Sequence, residues 1–277
     1  MKKIIFALTF LTISSVFAFD ITEKIEMDLK VTPKSFVRTD YTIVSKFGEY
    51  FRTPSAKFAY KYDAMGKVIE SSELSARDVL INKIVDTYNS DGLLSGETCF
   101  DADNSKIWSS EIIYKDGKKV ESADYSKAGI LRGKTLYTYT NDNLTDESYY
   151  DGEGALVWKI ISAYNSRGMI ESESEYTADG MLSEERHYEY TPNGILDSIS
   201  YDNEKGILTS KDVFRYDNNG SLYEITTYNA DNKTTKRTLI KYDAQGNVAK
   251  ITVYNVSRKF GTTVNEMVEM SEFIYEY

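Results

Sequence analysis

The chain has 277 residues, with 33 lysines and arginines against 43 aspartates and glutamates, a net charge of −10, one histidine and one cysteine. That balance opposes binding to nucleic acid or to anionic lipid, because both need a basic patch. A lone Cys99 excludes an internal disulfide, and one histidine with one cysteine cannot make a closed zinc site.

Residues 1–18 read as a secretory signal peptide: Lys2 and Lys3, an apolar stretch from Ile4 to Phe17, then Val16-Phe17-Ala18 as a small-residue cleavage site. The stretch is short for a bilayer span, charge follows at Asp20, and no cysteine stands at the cleavage point to carry a lipid. The expectation is export to the periplasm, the cell surface or the medium. Loss of both lysines takes the net charge to −12.

Residues 19–59 are irregular, with alternating segments at Ile25 to Val31 and Tyr41 to Val44 and prolines at 33 and 54. They are expected to form an N-terminal cap on a repeat array. From 60 to 254 a tyrosine returns every 25 or 26 residues, at Tyr62, Tyr88, Tyr114, Tyr139, Tyr164, Tyr190, Tyr216 and Tyr242. A second aromatic series lies between: Phe100, Tyr125, Tyr150, Tyr176, Tyr201, Tyr228 and Tyr254. Each is followed by a polar turn, usually with glycine, and then by an aliphatic residue. Fixed-period self-similarity means one supersecondary unit used many times. Between Met169 and Tyr216 strand, tight turn and strand alternate with no helical period. Alternation puts Ile170, Ser172, Ser174 and Tyr176 on one face, and Glu171, Glu173 and Glu175 on a face expected to be solvated. Residues 255–277 break the register again and are expected to form a C-terminal capping strand; Arg258-Lys-Phe-Gly261 echoes Lys46-Phe-Gly48. The predicted fold is all-β: an elongated antiparallel meander or solenoid of stacked hairpins, 25–26 residues per double unit, with about sixteen strands.

Tyr62-Asp-Ala-Met-Gly-Lys-Val68, Tyr216-Asp-Asn-Asn-Gly-Ser-Leu222 and Tyr242-Asp-Ala-Gln-Gly-Asn-Val248 resemble the YD repeats of Rhs-type bacterial surface and toxin-shell proteins. Tyr164 to Ser172 and Tyr176 to Glu184 are also similar to the MORN-related hairpin repeats of bacterial antitoxins. Both resemblances imply stacked hairpins and specify a fold better than an activity.

Little in the sequence points to catalysis, and no catalytic residue and no cofactor is expected. His187 has no triad partners in view, and Cys99 lies far from that only base, so both read as structural. Acidic turns at 101–104, 202–204, 217–219 and 229–232 offer oxygens for calcium, but Asp and Asn fill turns for backbone reasons and none has a complete binding loop. An outer-membrane barrel is suggested by the aromatic C-terminus but set aside, since its strands need an unbroken apolar face. The asymmetric features are Trp108 and Trp158, each six residues before a repeat tyrosine, and with Tyr137 and Tyr188 they form a candidate contact stripe. The reading is an exported envelope repeat protein acting as a non-catalytic binding or structural module, for an envelope protein or cell-wall glycan, with self-association open. Alternatives are a carbohydrate-active enzyme using paired carboxylates, or an antitoxin-like immunity protein that binds a toxin.

Overall fold

The computed structural model describes residues 29–259 and 261–277; the signal segment lies outside them. Eighteen strands follow in order: β1 (Ser35–Lys46), β2 (Glu49–Tyr62), β3 (Val68–Ser75), β4 (Leu80–Tyr88), β5 (Leu94–Asp101) and β6 (Lys106–Lys115). Then come β7 (Lys118–Ser126), β8 (Leu131–Thr140), β9 (Asn143–Asp151), β10 (Leu156–Tyr164), β11 (Ile170–Thr177) and β12 (Leu182–Tyr190). The last are β13 (Leu196–Asn203), β14 (Leu208–Tyr216), β15 (Leu222–Asn229), β16 (Thr234–Tyr242), β17 (Val248–Lys259) and β18 (Thr262–Glu276).

Each strand pairs antiparallel with its chain neighbours, and β1 also pairs with β18, from Ser35 opposite Glu276 to Thr42 opposite Glu269. The sheet therefore closes on itself. The expected solenoid is corrected here: the meander is present, but its ends meet in an 18-stranded barrel. Twisted strands curl a long sheet, and joining its first and last strands satisfies two rows of backbone groups that an open ribbon would leave bare. The irregular ends of the sequence supply this seam.

The Tyr-Asp-x-x-Gly motif has a direct physical cause. Asp63 Oδ1 accepts the amides of Met65 and Lys67 at 2.8 and 2.9 Å, while Gly66, at φ 81°, donates to the Asp63 carbonyl. Asn89, Asp101, Asp151, Asn165, Asn203, Asp217, Asn229 and Asp243 cap their turns in the same way. At Asp101, Asp217 and Asn229, residues weighed as calcium ligands, Oδ1 accepts backbone amides of its own turn.

Three tyrosines of the first series tie one hairpin to the hairpin before it. Tyr88 donates to the Val68 carbonyl at 2.6 Å, Tyr164 to Leu144 at 2.7 Å and Tyr242 to Leu222 at 2.6 Å. Tyr275, outside the sequence series, does the same to Val248 at 2.7 Å. Tyr164→Phe is expected to cost about 1 kcal/mol, the net value of one such bond, in urea unfolding. An unchanged midpoint would mean that the repeat keeps tyrosine for its ring alone.

Strand alternation gives the barrel two walls. The inner wall carries Phe36, Phe58, Ile84, Cys99, Ile199, Phe214, Ile225, Ile240, Ile251 and Phe273, all buried. The outer wall carries exposed Ile81, Ile113, Ile161 and Ile274 among ion pairs such as Lys61–Glu70 at 2.8 Å and Arg237–Glu224 at 2.7 Å. Glu173 and Glu175 fall on the inner wall, in register with Arg186 and Glu184 of β12, and Glu175 is only 8% exposed, whereas Glu171 is skipped at a bulge and stays exposed as expected. For Glu173 and Glu175 the expectation of a solvated face is overturned: alternation separates two faces correctly but does not say which is enclosed. His187 lies on the outer wall beside Glu185 and Asp202, and Cys99 is buried on the inner one.

Candidate functional site

A ring of eighteen strands spaced about 4.8 Å apart is on the order of 30 Å across, wide enough for a lumen rather than a solid centre. Its wall has two chemically distinct sectors. Residues of β13 to β18, β1 and β2 form one continuous apolar plaque, including Ile199, Phe214, Ile225, Ile240, Phe36 and Phe58. Between β4 and β12 the same face carries Asp86, Glu97, Asp124, Glu147, Glu173, Glu175 and Glu184.

The second sector holds carboxyls in an enclosed setting. Burial pushes Glu97 up to about 7, helped by Asp86 directly opposite, and pushes Asp86 and Asp124 up to about 6. Burial also raises Glu147, with Glu173 adding to the effect. Glu175 and Glu184 face each other across β11 and β12, and both are raised by burial although Arg186 opposes the shift. Glu175 Oε2 and Glu184 Oε1 are buried and accept no hydrogen bond. On the outer wall the balance is reversed: a hydrogen bond from Lys211, then one from Ser198, lowers Glu189. The six inner-face carboxyls named above are raised by burial, whereas Glu189 on the outer face is lowered by its hydrogen bonds.

All four aromatic residues of the sequence-predicted stripe lie on this inner face, on β6, β8, β10 and β12. They do not form one row. Trp158 stacks on Tyr149 with ring centres 5.7 Å apart and is buried. Its register row runs through Tyr149, Thr135 and Ser122 to Ile112, four residues along β6 from Trp108. Trp108 instead pairs with Cys99 and Ser126. Tyr137 bonds Ser122 at 3.1 Å and lies under the Lys119 ammonium, 4.5 Å from its ring centre. Tyr188 donates to Glu173, which also meets Arg186 at 3.3 Å. Tyr137 and Tyr188 thus flank Glu147 and Glu173; Glu147 is raised by burial and then by Glu173, while Lys119 and Arg186 oppose the shift. Sequence reasoning missed these carboxyls because plentiful glutamates in a repeat read as a solvated surface. The available signal was their alternation in phase with Trp158 and Tyr188.

Among the described residues no group of three or more His, Cys, Asp or Glu is placed to hold a metal ion. No helix among them is long and apolar enough to cross a membrane.

No family model and no curated protein matches the chain. Solved structures do. A porin-like protein from Bacteroides uniformis aligns at TM-score 0.50 and 11% identity, over 89% of this chain and 98% of that one. A porin-like protein from Bacteroides vulgatus aligns at TM-score 0.33 and 14% identity, over 88% and 98%. A TcdB2-TccC3-Cdc42 structure aligns at TM-score 0.28 and 15% identity, over 83% of this chain and 14% of that one. At such identities a likeness speaks for fold alone, and only the first is close enough to carry that. The chain is similar in fold to a porin-like all-β protein.

Proposed function

We propose that the chain is a non-catalytic binding module of a bacterial envelope, built from YD-type hairpins, and that its ligand is held on the inner wall of the barrel. Export rests on the tripartite pattern of residues 1–18. The observation that carries the reading is the enclosed carboxyl sector, where Glu175 and Glu184 oppose each other. Each has one buried oxygen that accepts no hydrogen bond, and the two share a single cation, Arg186, whose Nε lies 3.9 Å from Glu184 Oε1. Like charges directly opposite on a sheet are destabilising, and buried acceptors without donors are costly. A ligand that brings donors and positive charge relieves both. Its chemistry is that of a basic polypeptide segment, seated between carboxyls and the rings of Tyr137 and Tyr188. The outer wall supports a water-facing barrel, since Lys57, Lys61, Glu70, Lys83 and Glu121 interrupt any apolar band there.

Titration calorimetry with a short lysine- and arginine-rich peptide tests this. Binding should tighten from pH 5.5 to pH 8, because Asp86 and Asp124 ionise near 6 and Glu97 near 7. Glu175→Gln with Glu184→Gln should weaken binding about tenfold, near 1.4 kcal/mol. Equal affinity in that variant would place the peptide elsewhere and sink the reading.

One observation favours acid catalysis on sugars as a second reading. Burial pushes Glu97 up to about 7, and it sits opposite Asp86, as a general acid beside a second carboxyl would. Against it, the same upward shift recurs at Asp124, Glu147, Glu175 and Glu184, so Glu97 is not singular. Release of reducing ends from cell-wall glycan, abolished in Glu97→Gln, would favour the enzyme.

A further inference from the structure

Two hairpins at the seam reach beyond the rest of the barrel. Pairing between β1 and β18 stops at Thr42 opposite Glu269, but β1 and β2 stay paired to Lys46 opposite Glu49. On its other side β2 first meets β3 at Ala56. Residues 49–55 therefore stand clear of β3 by seven residues, roughly 23 Å of strand. The β17–β18 hairpin continues to Lys259 opposite Thr262, and Tyr50 of the first hairpin bonds the Asn265 carbonyl of the second at 3.2 Å. The pair forms one braced prong.

Its tip has unusual chemistry. Among the described residues three strand connections are two-residue turns, and their first loop position is comparable. That position is Asp116 at φ 53°, Asn141 at φ 49° and Phe47 at φ 55°. Asp and Asn tolerate left-handed backbone, whereas a bulky aromatic there is an outlier. Phe47 is 104% exposed, so nothing in the fold rewards its presence. Exposed Val44 and Phe51 pair directly behind it. The second tip repeats the sequence, Lys259-Phe260-Gly261 for Lys46-Phe47-Gly48. Segments 45–52 and 256–266 hold four cations (Lys46, Arg52, Arg258, Lys259) against Glu49 and Glu266, in a chain of net charge −10. Two of those cations have acidic neighbours, Arg52 with Glu272 and Lys259 with Glu266.

We propose that the prong docks on an anionic phospholipid surface, with Phe47 entering the headgroup layer and Lys46 and Arg258 meeting phosphates. A tip with an aromatic residue at its apex and cations beside it matches that interface, where apolar side chains enter the headgroup–acyl boundary and basic residues gain from the negative surface. The polarity is local: the acidic barrel body faces away while the cationic tips lead.

Phe47→Trp in the full chain, with vesicles of phosphatidylglycerol and phosphatidylethanolamine carrying brominated acyl chains, reads the position directly. The fluorescence added over the two native tryptophans should be quenched in these vesicles and not in brominated phosphatidylcholine, and 0.5 M salt should reverse the quenching. Phe47→Asn should fold at least as stably, because asparagine suits the left-handed turn position there, and combined with Phe260→Asn it should show several-fold weaker co-sedimentation than the parent. An unquenched tryptophan at position 47 in vesicle-bound protein would overturn the proposal. So would quenching equal in anionic and zwitterionic vesicles, or undiminished sedimentation of the double asparagine variant.

Discussion

Phe36→Ala is expected to destabilise the barrel by about 3–5 kcal/mol, the range for emptying a buried phenylalanine site. Phe36 is 1% exposed and sits near the start of the seam strand, stacked on Tyr60 at 4.5 Å. Its ring also meets Tyr275 at 5.3 Å, Phe273 at 6.2 Å and Tyr62 at 6.3 Å. Those partners come from both strands that flank β1, with Tyr60 opposite Phe36 on β2 and Tyr275 opposite it on β18. Removing the ring therefore loosens both pairings at once. The cost should appear in urea unfolding, while hydrogen exchange should accelerate first at β1 and β18 amides. Ile81→Ala on the outer wall, where the side chain is already exposed, should cost well under 1 kcal/mol and serves as control. A Phe36→Ala stability within 1 kcal/mol of the parent would mean that backbone pairing alone holds the barrel shut.

That seam marks the limit of what the sequence discloses. Hairpins, turn caps and tyrosine spacing are local, so Tyr62-Asp63 to Gly66 and its copies could be read directly as strand, capped turn and strand. Closure depends on Ser35 meeting Glu276, and no periodicity relates residues that far apart. The irregular ends looked like caps because they break the repeat. Their extra length makes the prong, and their aromatic residues make the cluster around Phe36. The walls were separable but not assignable. Glu171, Glu173 and Glu175 alternate against Ser172 and Ser174, and charge suggested that the glutamates face water outside. In a barrel of this width both walls can be polar, so charge does not decide the side. Register also decides the site: Tyr137 meets Glu147 and Tyr188 meets Glu173 only through pairings that composition does not reveal.

Glu97→Gln is expected to stabilise the protein at pH 8 by about 2–3 kcal/mol and to leave it nearly unchanged at pH 4. Burial raises the folded-state value of Glu97 from 4.5 to about 7, and each pKa unit corresponds to about 1.4 kcal/mol. A carboxyl whose folded value is raised contributes stability that is fully present below its unfolded value. That contribution is lost as the pH climbs through the folded value, because the folded state there holds protons that the unfolded chain has released. For Glu97 the loss runs from about pH 4.5 to 7, and for Asp86 and Asp124 from about 4 to 6. Glutamine keeps the neutral shape and can still accept the Ser110 hydroxyl, now 3.3 Å from Glu97 Oε2, so it escapes the cost of ionising inside the wall. On the outer wall Glu189 has the opposite sign: Lys211 and Ser198 lower it, and its contribution is lost in acid. The parent protein should therefore be most stable near pH 5, falling on the alkaline side through the inner wall and on the acid side through the outer. Thermal unfolding of parent and Glu97→Gln from pH 4 to 8 would show two curves that meet near pH 4 and separate progressively from about pH 4.5 to 7. Curves that stay together to pH 8 would mean that water reaches Glu97 freely, and the enclosed carboxyl sector would lose its claim as a site shaped for positive charge.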